Sequence, residues 1–443
     1  DGSENAYFAD GLSEEILNLL VGVPEFRVVA RTSSFAYKGK SAEVAQIGKE
    51  LGVSHVLEGS VRKSEKRIRI TARLVRADNG LHLWSETFDR VPDDIFVLQD
   101  EIATSVVNAL NVKLLHGMQA SYATDSEVHA LYLQGLYFLN IEGGEGYRKS
   151  ADSFRKVLAM DPEYAPAWTA IARTYTHQVR AGLLTREQGR ELAMGAIETA
   201  LALDEDMASA WANLAYQKRF YDLDWEGAMA AIDRALELEP NNAQVLGVAA
   251  SLAGSLGRVT ESTELHERAL ALDPLNLTAL SALGQDYLRN GRADDAIKTF
   301  TRLVTLRPDH YTGYTNLGRA YFLKGDVDQA LIEIGKSPSR LLRNFEEIQI
   351  HLALGEHARA QPLVKAYLDD YSHVDNVRTA ALFAALGEND LAFEWLTRAF
   401  EERDFRLSWF LTDVHLRKLQ DDPRYPVFLE KIGLLAAWKA MSN

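Results

Sequence analysis

In this 443-residue chain, only a few residues have the types and spacing that chemistry requires. Asp222, Asp224, Glu226 and Gly227 follow the first half of a calcium loop, with Asp233 where a bidentate Glu should stand. The overlapping run WEGAMAAIDRAL has the apolar spacing of a helix, however, and a helix there abolishes the loop. An acidic turn between helices is the plainer reading. Of eleven histidines, His351 and His357 stand six apart and straddle a turn, which suits ordinary half-buried positions. A pH-sensing role stays open, because imidazole titrates near pH 6.5. The doublets Asp93–Asp94, Asp294–Asp295 and Asp421–Asp422 precede or open helices, where carboxylates serve as caps. GGEG at 143–146 follows no strand and reads as a turn, not a phosphate cradle. No nucleophile elbow, dinucleotide fingerprint or zinc-protease helix occurs. The chain has no cysteine, which excludes thiol catalysis, disulfides and zinc ribbons within it. We therefore assign no catalytic residue, metal ligand or cofactor, and expect a non-enzyme.

Binding is what remains. Arg67, Arg69, Thr71, Arg73 and Val75 alternate with Ile68, Ile70, Ala72 and Leu74, the period of a half-buried strand. The basic face, Arg67, Arg69 and Arg73, is either solvated or an anion- or partner-binding surface. A second row comes from a repeat. Pro240, Pro274 and Pro308 are 34 residues apart and close the phrases ALELEP, ALALDP and LVTLRP. Within this period Leu280, Leu283, Gly284, Tyr287, Ala296 and Phe300 recur as Leu317, Gly318, Tyr321 and Ala330, and earlier as Trp168, Ile171, Ala172 and Tyr175. The small residue lets two helices touch and the large ones fill the space between pairs, so the aromatic recurrence is core. The helix positions left over would line a groove. They are Arg173, His177, Asn213, Tyr216, Phe220, Gln285, Arg289, Asn316, Arg319 and Phe322. Arginine and aromatic side chains carry much of the energy of protein interfaces.

The elements that position these residues fall into two kinds. Up to about residue 115 the pattern is mixed α/β. A short helix begins after Ser13, EFRVVAR reads as a strand, and SAEVAQIGKEL is a helix ended by Gly52. Three antiparallel strands follow, with turns at Glu65–Lys66 and Asp78–Asn79–Gly80, then a helix with Ile95, Leu98, Ile102 and Val106 on its apolar face. From about 125 to 405 helical pairs are expected, six up to Pro338 and two weaker ones after it. Residues 406–443 are expected to cap them.

The runs YFADGLSEEILNLL, RVVARTSSFAYKGK, IGKELGVSHVLEGSVRK and LHLWSETFDR resemble the TolB-like amino-terminal domain of bacterial sensor and cyclase-type proteins. In that family a further strand precedes the first helix. The chain starts just past it, so we expect a piece of a longer protein whose sheet edge is open to a second chain, including a second copy. The 34-residue period resembles the tetratricopeptide repeat, a right-handed superhelical solenoid. The expected fold is thus α+β followed by all-α. Together the resemblances imply a sensory or scaffold region that binds protein or peptide and relays a signal to an upstream winged-helix or nucleotide-cyclase domain. They also imply a membrane tether upstream and a periplasmic location, with the cytoplasm as the alternative. A small-molecule or glycan receptor between the two parts is the second reading.

Composition fits these expectations. Apolar residues make up 47% and charged residues 25%, ordinary for globular chains. No stretch approaches the ~18 apolar residues of a membrane span. The net charge is −15, which disfavours direct nucleic-acid binding. Residues 1–115 hold 14 basic and 17 acidic side chains, so most of the acidity lies in the repeats.

Overall fold

The structure is a computed structural model that describes residues 2–21, 26–40, 42–63, 67–91, 95–109, 125–141, 143–372 and 375–441. The chain divides into two compact units. Unit one comprises Asp1–Gln217, Ala231–Val245 and Ala271–Pro274; unit two comprises Lys218–Ala230, Leu246–Leu270 and Leu275–Asn443. The division does not fall where the sequence changes from mixed to helical.

Unit one opens with α1 (Gly2–Val21). This helix is longer than the sequence suggests, and Ser13 is not its cap. Ser13 lies mid-helix, where its hydroxyl donates back to the Ala9 carbonyl at 2.8 Å. EFRVVAR is not a strand either: residues 26–30 carry no strand pairing, and Arg31–Phe35 form the short helix α2. The Ala30 amide spends its hydrogen bond on the Leu272 carbonyl, 2.7 Å away and 242 positions along the chain. Helix α3 (Val44–Leu51) ends as expected at Gly52, whose φ of 66° is left-handed and suits glycine.

Strands β1 (His55–Lys63), β2 (Ile68–Arg76) and β3 (His82–Arg90) form an antiparallel meander in the order β1-β2-β3. The Glu65–Lys66 turn lies outside the described residues. The inner face of β2, Ile68, Ile70, Ala72 and Leu74, packs with Leu12, Ile16 and Leu20 of α1, with Phe88 of β3, and with Ile102, Ala103 and Val106 of α4 (Ile95–Ala109). Val75 departs from the expected alternation. A register shift in the pairing with β3 falls between Leu74 and Val75, and Val75 is buried as well.

Helical pairs follow. In unit one α5 (Ser126–Leu139) pairs with α6 (Gly144–Met160), and α7 (Ala165–Arg180) with α8 (Arg186–Leu203). The boundary between units runs along α9 (Ala208–Gln217), α10 (Trp225–Leu238), α11 (Ala243–Ser255) and α12 (Val259–Leu272). Unit two adds α13 (Leu277–Arg289) with α14 (Ala293–Leu306), α15 (Gly313–Lys324) with α16 (Val327–Gly335), α17 (Arg340–Ala353) with α18 (His357–Tyr371), and α19 (Asn376–Leu386) with α20 (Asn389–Glu401). Capping by Asp125, Thr185, Asn276, Asp326, Ser339 and Asp375 side chains starts six of these helices.

The recurrent small residue has the packing role its spacing implies. A Cβ at Gly135 would sit 2.5 Å from the Phe154 ring, at Gly284 2.5 Å from the Phe300 ring, and at Gly318 2.5 Å from Ile334. The second helix of each pair therefore seats its large side chain directly on the backbone of the first. GGEG opens a helix instead of forming a turn: α6 begins at Gly144, and a Cβ on Gly146 would strike the Ile141 carbonyl at 2.2 Å. Among the described residues no helix is long and apolar enough to cross a membrane.

Beyond α20 come two 3₁₀ segments, Phe405–Thr412 and Leu416–Leu419, then α21 (Arg424–Lys431) and α22 (Leu435–Met441). This tail reaches well past the last pair. The Trp225 indole N–H donates to the Ile432 carbonyl at 2.8 Å, and Gly257 lies against Met441.

Candidate functional site

The ten groove positions are half-buried, except Asn316, which is buried. In unit one they sit on α7 and α9. Arg173 donates to Gln244 at 3.2 Å, and the Asn213 amide donates to the Thr169 carbonyl at 3.2 Å, tying α9 to α7. His177 stacks on Tyr147 at 5.1 Å. Burial, aided by the charges of Arg173 and Arg180, pushes its pKa down to about 3, so the ring is neutral at physiological pH. Tyr216 is half-buried on α9.

The unit-one groove is not an empty channel. Glu14 of α1 and Arg31 of α2 lie in the electrostatic reach of Arg173. Arg31 Nε is 2.9 Å from Glu14 Oε2, with only 16% of either side chain exposed. Burial raises the Glu14 pKa, and the two guanidiniums pull against that rise. Burial works against the Arg173 charge, which Glu14 offsets. Beside this cluster the buried Ser33 hydroxyl donates to Asp273 at 2.6 Å. Gly11 completes the docking, since a Cβ there would fall 2.4 Å from Leu133 of α5. The amino-terminal elements thus pack into the helical pairs of their own unit.

In unit two the positions are Phe220, Gln285, Arg289, Asn316, Arg319 and Phe322. Helix α9 continues as a π-helical turn, Lys218–Asp222, followed by Leu223 at a φ of 52°. The extra residue in that turn brings Arg219 inside, 2% exposed, where its Nε donates to Ser255 at 2.9 Å. The Arg219 guanidinium lies 4.2 Å from the centres of both the Phe220 and Trp409 rings. Arg289 lies 5.3 Å from the same indole, and Phe220 meets Phe405 at 6.4 Å and Trp409 at 6.5 Å. Arg319 faces Glu346 at 3.8 Å; His415 reaches the same carboxylate at 4.0 Å and stands edge-on to Phe345. The Arg319 guanidinium is also 3.5 Å from the Asn316 amide oxygen. Gln285 and Phe322 are half-buried. The tail therefore covers Phe220 and Arg289, and contributes His415 beside Arg319.

Arg289 is held from below. Asp286 accepts from Arg289 at 2.9 Å through one oxygen, and from the Ser262 hydroxyl at 2.7 Å through the other. His266 Nδ1 lies 2.8 Å from that second oxygen. Ser, His and Asp together suggest nucleophilic catalysis, but the geometry is wrong for it. A catalytic histidine bridges hydroxyl and carboxylate through different nitrogens. Here the hydroxyl and His266 Nδ1 share one carboxylate oxygen, and all three residues are buried. The trio positions a guanidinium.

The remaining candidates resolve into local roles. Arg67 and Arg69 pair with Asp89, at 3.5 and 2.5 Å, and Arg73 lies 3.9 Å from Glu58, so acidic side chains accompany the basic strand face. Asp224 caps α10 by accepting from the Gly227 amide at 2.9 Å and binds Lys218 at 2.7 Å, which is helix-start geometry, not a cation loop. His351 pairs with Glu356 at 2.8 Å. Asp295 and Asp422 hold Arg292 and Arg424; Asp93–Asp94 lie outside the described residues. Among the described residues no three His, Asp or Glu side chains converge as a metal would need.

The decisive likeness falls in unit two, where residues 281–337 match the tetratricopeptide repeat family. Residues 281–337 carry the tetratricopeptide repeat. A protein of Rhizobium meliloti (strain 1021) named "Putative adenylate cyclase 3" is 40% identical over 177 residues, 38% of this chain and 30% of that protein. The chain thus matches less than a third of that relative's length. Solved repeat structures also align. Human IFIT1 aligns with a TM-score of 0.43 at 17% identity, over 69% of this chain and 77% of that one. Pseudomonas aeruginosa pilF aligns at 0.39 and 16%, over 47% and 93%. YrrB, described as a repeat protein with an unusual peptide-binding site, aligns at 0.33 and 21%, over 44% and 96%.

Proposed function

We propose that this chain is the non-catalytic, protein- or peptide-binding region of a modular bacterial signalling protein, with a nucleotide-cyclase or transcriptional output domain outside residues 1–443. The observation that carries the reading is the stack of repeat pairs, whose half-buried Arg, Asn and aromatic positions are those of an interaction scaffold. The cyclase-named relative supports the choice of output. The TolB-like resemblance of residues 7–103 supports a sensory role and, with it, an upstream membrane tether and a periplasmic site.

Three measurements test this. The purified chain, given ATP or GTP with magnesium or manganese, is expected to form no cyclic nucleotide; turnover abolished by substituting a residue of this chain would overturn the reading. In the full-length protein, substitutions that unseat α1 are expected to change output activity without altering the output domain. Protease added to intact cells should cleave this region only after the outer membrane is permeabilised; protection that persists would move it to the cytoplasm.

A further inference from the structure

In most binding scaffolds the groove awaits a partner. In unit two it already holds one, the chain's own residues 405–415. Phe405 and Trp409, four residues apart, point their rings at Phe220, and Trp409 is gripped by the Arg219 and Arg289 guanidiniums. The indole also lies over Gly254, where a Cβ would stand 3.5 Å from it, at ordinary contact distance. Leu407, between the two rings in sequence, and Phe410 and Leu411, directly after Trp409, are buried. Asp404 caps the segment, and Asp413 adds negative charge near Arg289. An aromatic segment flanked by carboxylates thus sits on an arginine-lined surface. Phe405 remains 45% exposed and Trp409 is half-buried, so the Phe405 edge of the seat is within reach of a competitor.

We propose that residues 405–415 are an internal ligand of the unit-two repeats, and that a protein partner engages them by presenting a short helical segment of the same chemistry: aromatic side chains four residues apart, apolar residues within and just after that span, and acidic flanks. The internal occupant defines the ligand class. A tethered copy acts at an effective concentration of about millimolar, so a free segment competes only when it binds better or when the internal copy is weakened. The inference rests on the peptide-binding part of the reading above; cyclic-nucleotide output tests that reading, and a binding titration tests this one.

The probe is a fluorescent peptide of residues Asp404–Asp413, titrated into the intact chain and into its Trp409→Ala variant. The variant is expected to bind it at least about ten-fold tighter than the unaltered chain does, and about ten-fold tighter than it binds the same peptide with alanine for tryptophan. Hydrogen exchange in residues 405–412 of the variant should accelerate when the peptide is added. A folded variant that gains no affinity, or that does not distinguish the two peptides, would overturn the proposal. So would a tail-exchanged dimer seen by light scattering, which would make a second copy the occupant. Should Trp409→Ala not fold, Trp409→Phe carries the same comparison.

Discussion

Arg173 in unit one and Arg319 in unit two stand at the same point of the repeat, directly after the small residue that lets two helices touch. Their surroundings differ. Arg173 lies within the electrostatic reach of a carboxylate from α1, Glu14, which is paired with Arg31 of α2. Arg319 meets Glu346 from the following repeat, with His415 of the tail at the same carboxylate. In each unit a segment from outside the repeats packs against this row. In unit one the filler is held by ions and hydrogen bonds; in unit two it is held by buried apolar and aromatic side chains. A solvent-exposed guanidinium row is cheap, but one covered by other chain segments must have its charge answered or stacked. The two units solve that with different chemistry, which makes their responses to mutation and pH separable.

The largest effect should come from the apolar filler. Phe410 is fully buried and packs on Tyr425 and Phe428 at 5.3 and 5.2 Å. Phe410→Ala is expected to cost about 4 kcal/mol of unit-two stability. Segment-resolved hydrogen exchange should show the loss in residues 405–434 and leave the β-sheet protected. A loss below about 1 kcal/mol would mean that the tail is not anchored as described. Next comes the ionic filler. Glu14→Gln leaves the Arg31 and Arg173 charges facing one another across a largely buried site and should cost about 3 kcal/mol in unit one. If denaturant titration shows no change, Glu14 is not what balances Arg173.

A pH titration sharpens the contrast. Burial pushes the His129 pKa down to about 4 and that of His177 to about 3, both in unit one. Burial lowers His415 in unit two as well. Below about pH 6.5 the unfolded chain takes up protons that these folded rings refuse, so stability is complete above that pH and falls as the pH drops towards 4. Glu14 acts in the opposite sense, because its folded pKa is raised. Unit one should therefore lose stability from pH 6.5 to 5, and His129→Gln should flatten that slope. A slope unchanged by the substitution would remove His129 from the account. Ser33→Ala, which deprives the buried Asp273 of a hydroxyl donor, should cost about 1 kcal/mol and loosen residues 30–35 without disturbing the tail.

What the sequence made legible follows the range of the cause. The repeat pairs were readable because glycine and aromatic positions act within one pair, about 15 residues apart, as Gly284 and Phe300 do. The meander was readable because β1, β2 and β3 are joined by short turns. EFRVVAR misled because its β-branched residues imply a sheet neighbour, whereas Ala30 finds its acceptor at Leu272. Ser13 misled because a capping residue type can also sit inside a helix and bond back along it. Nothing local to the groove positions reveals that Glu14 or Trp409 packs near them. Arg219 carried a faint signal. It directly precedes Phe220 in a run too long for a regular turn, and the π-helical turn uses that extra residue to send the guanidinium inward.

The smallest expected effect separates both fillers from the exposed basic face of the sheet. Arg69 is exposed on β2 and directly opposite Asp89 in the β2–β3 register, with the guanidinium 2.5 Å from that carboxylate. The hydrogen bond to Arg69 holds Asp89 below the usual carboxylate range. Water and salt screen such a pair, so Arg69→Ala should leave the melting temperature unchanged to within roughly 1 °C. If the strand face binds an anion, the unaltered chain should instead gain stability with added phosphate or sulfate, and Arg69→Ala should abolish the gain. The pairing with Asp89 argues for the first outcome, because a cation already matched across the strands has little charge left for a ligand.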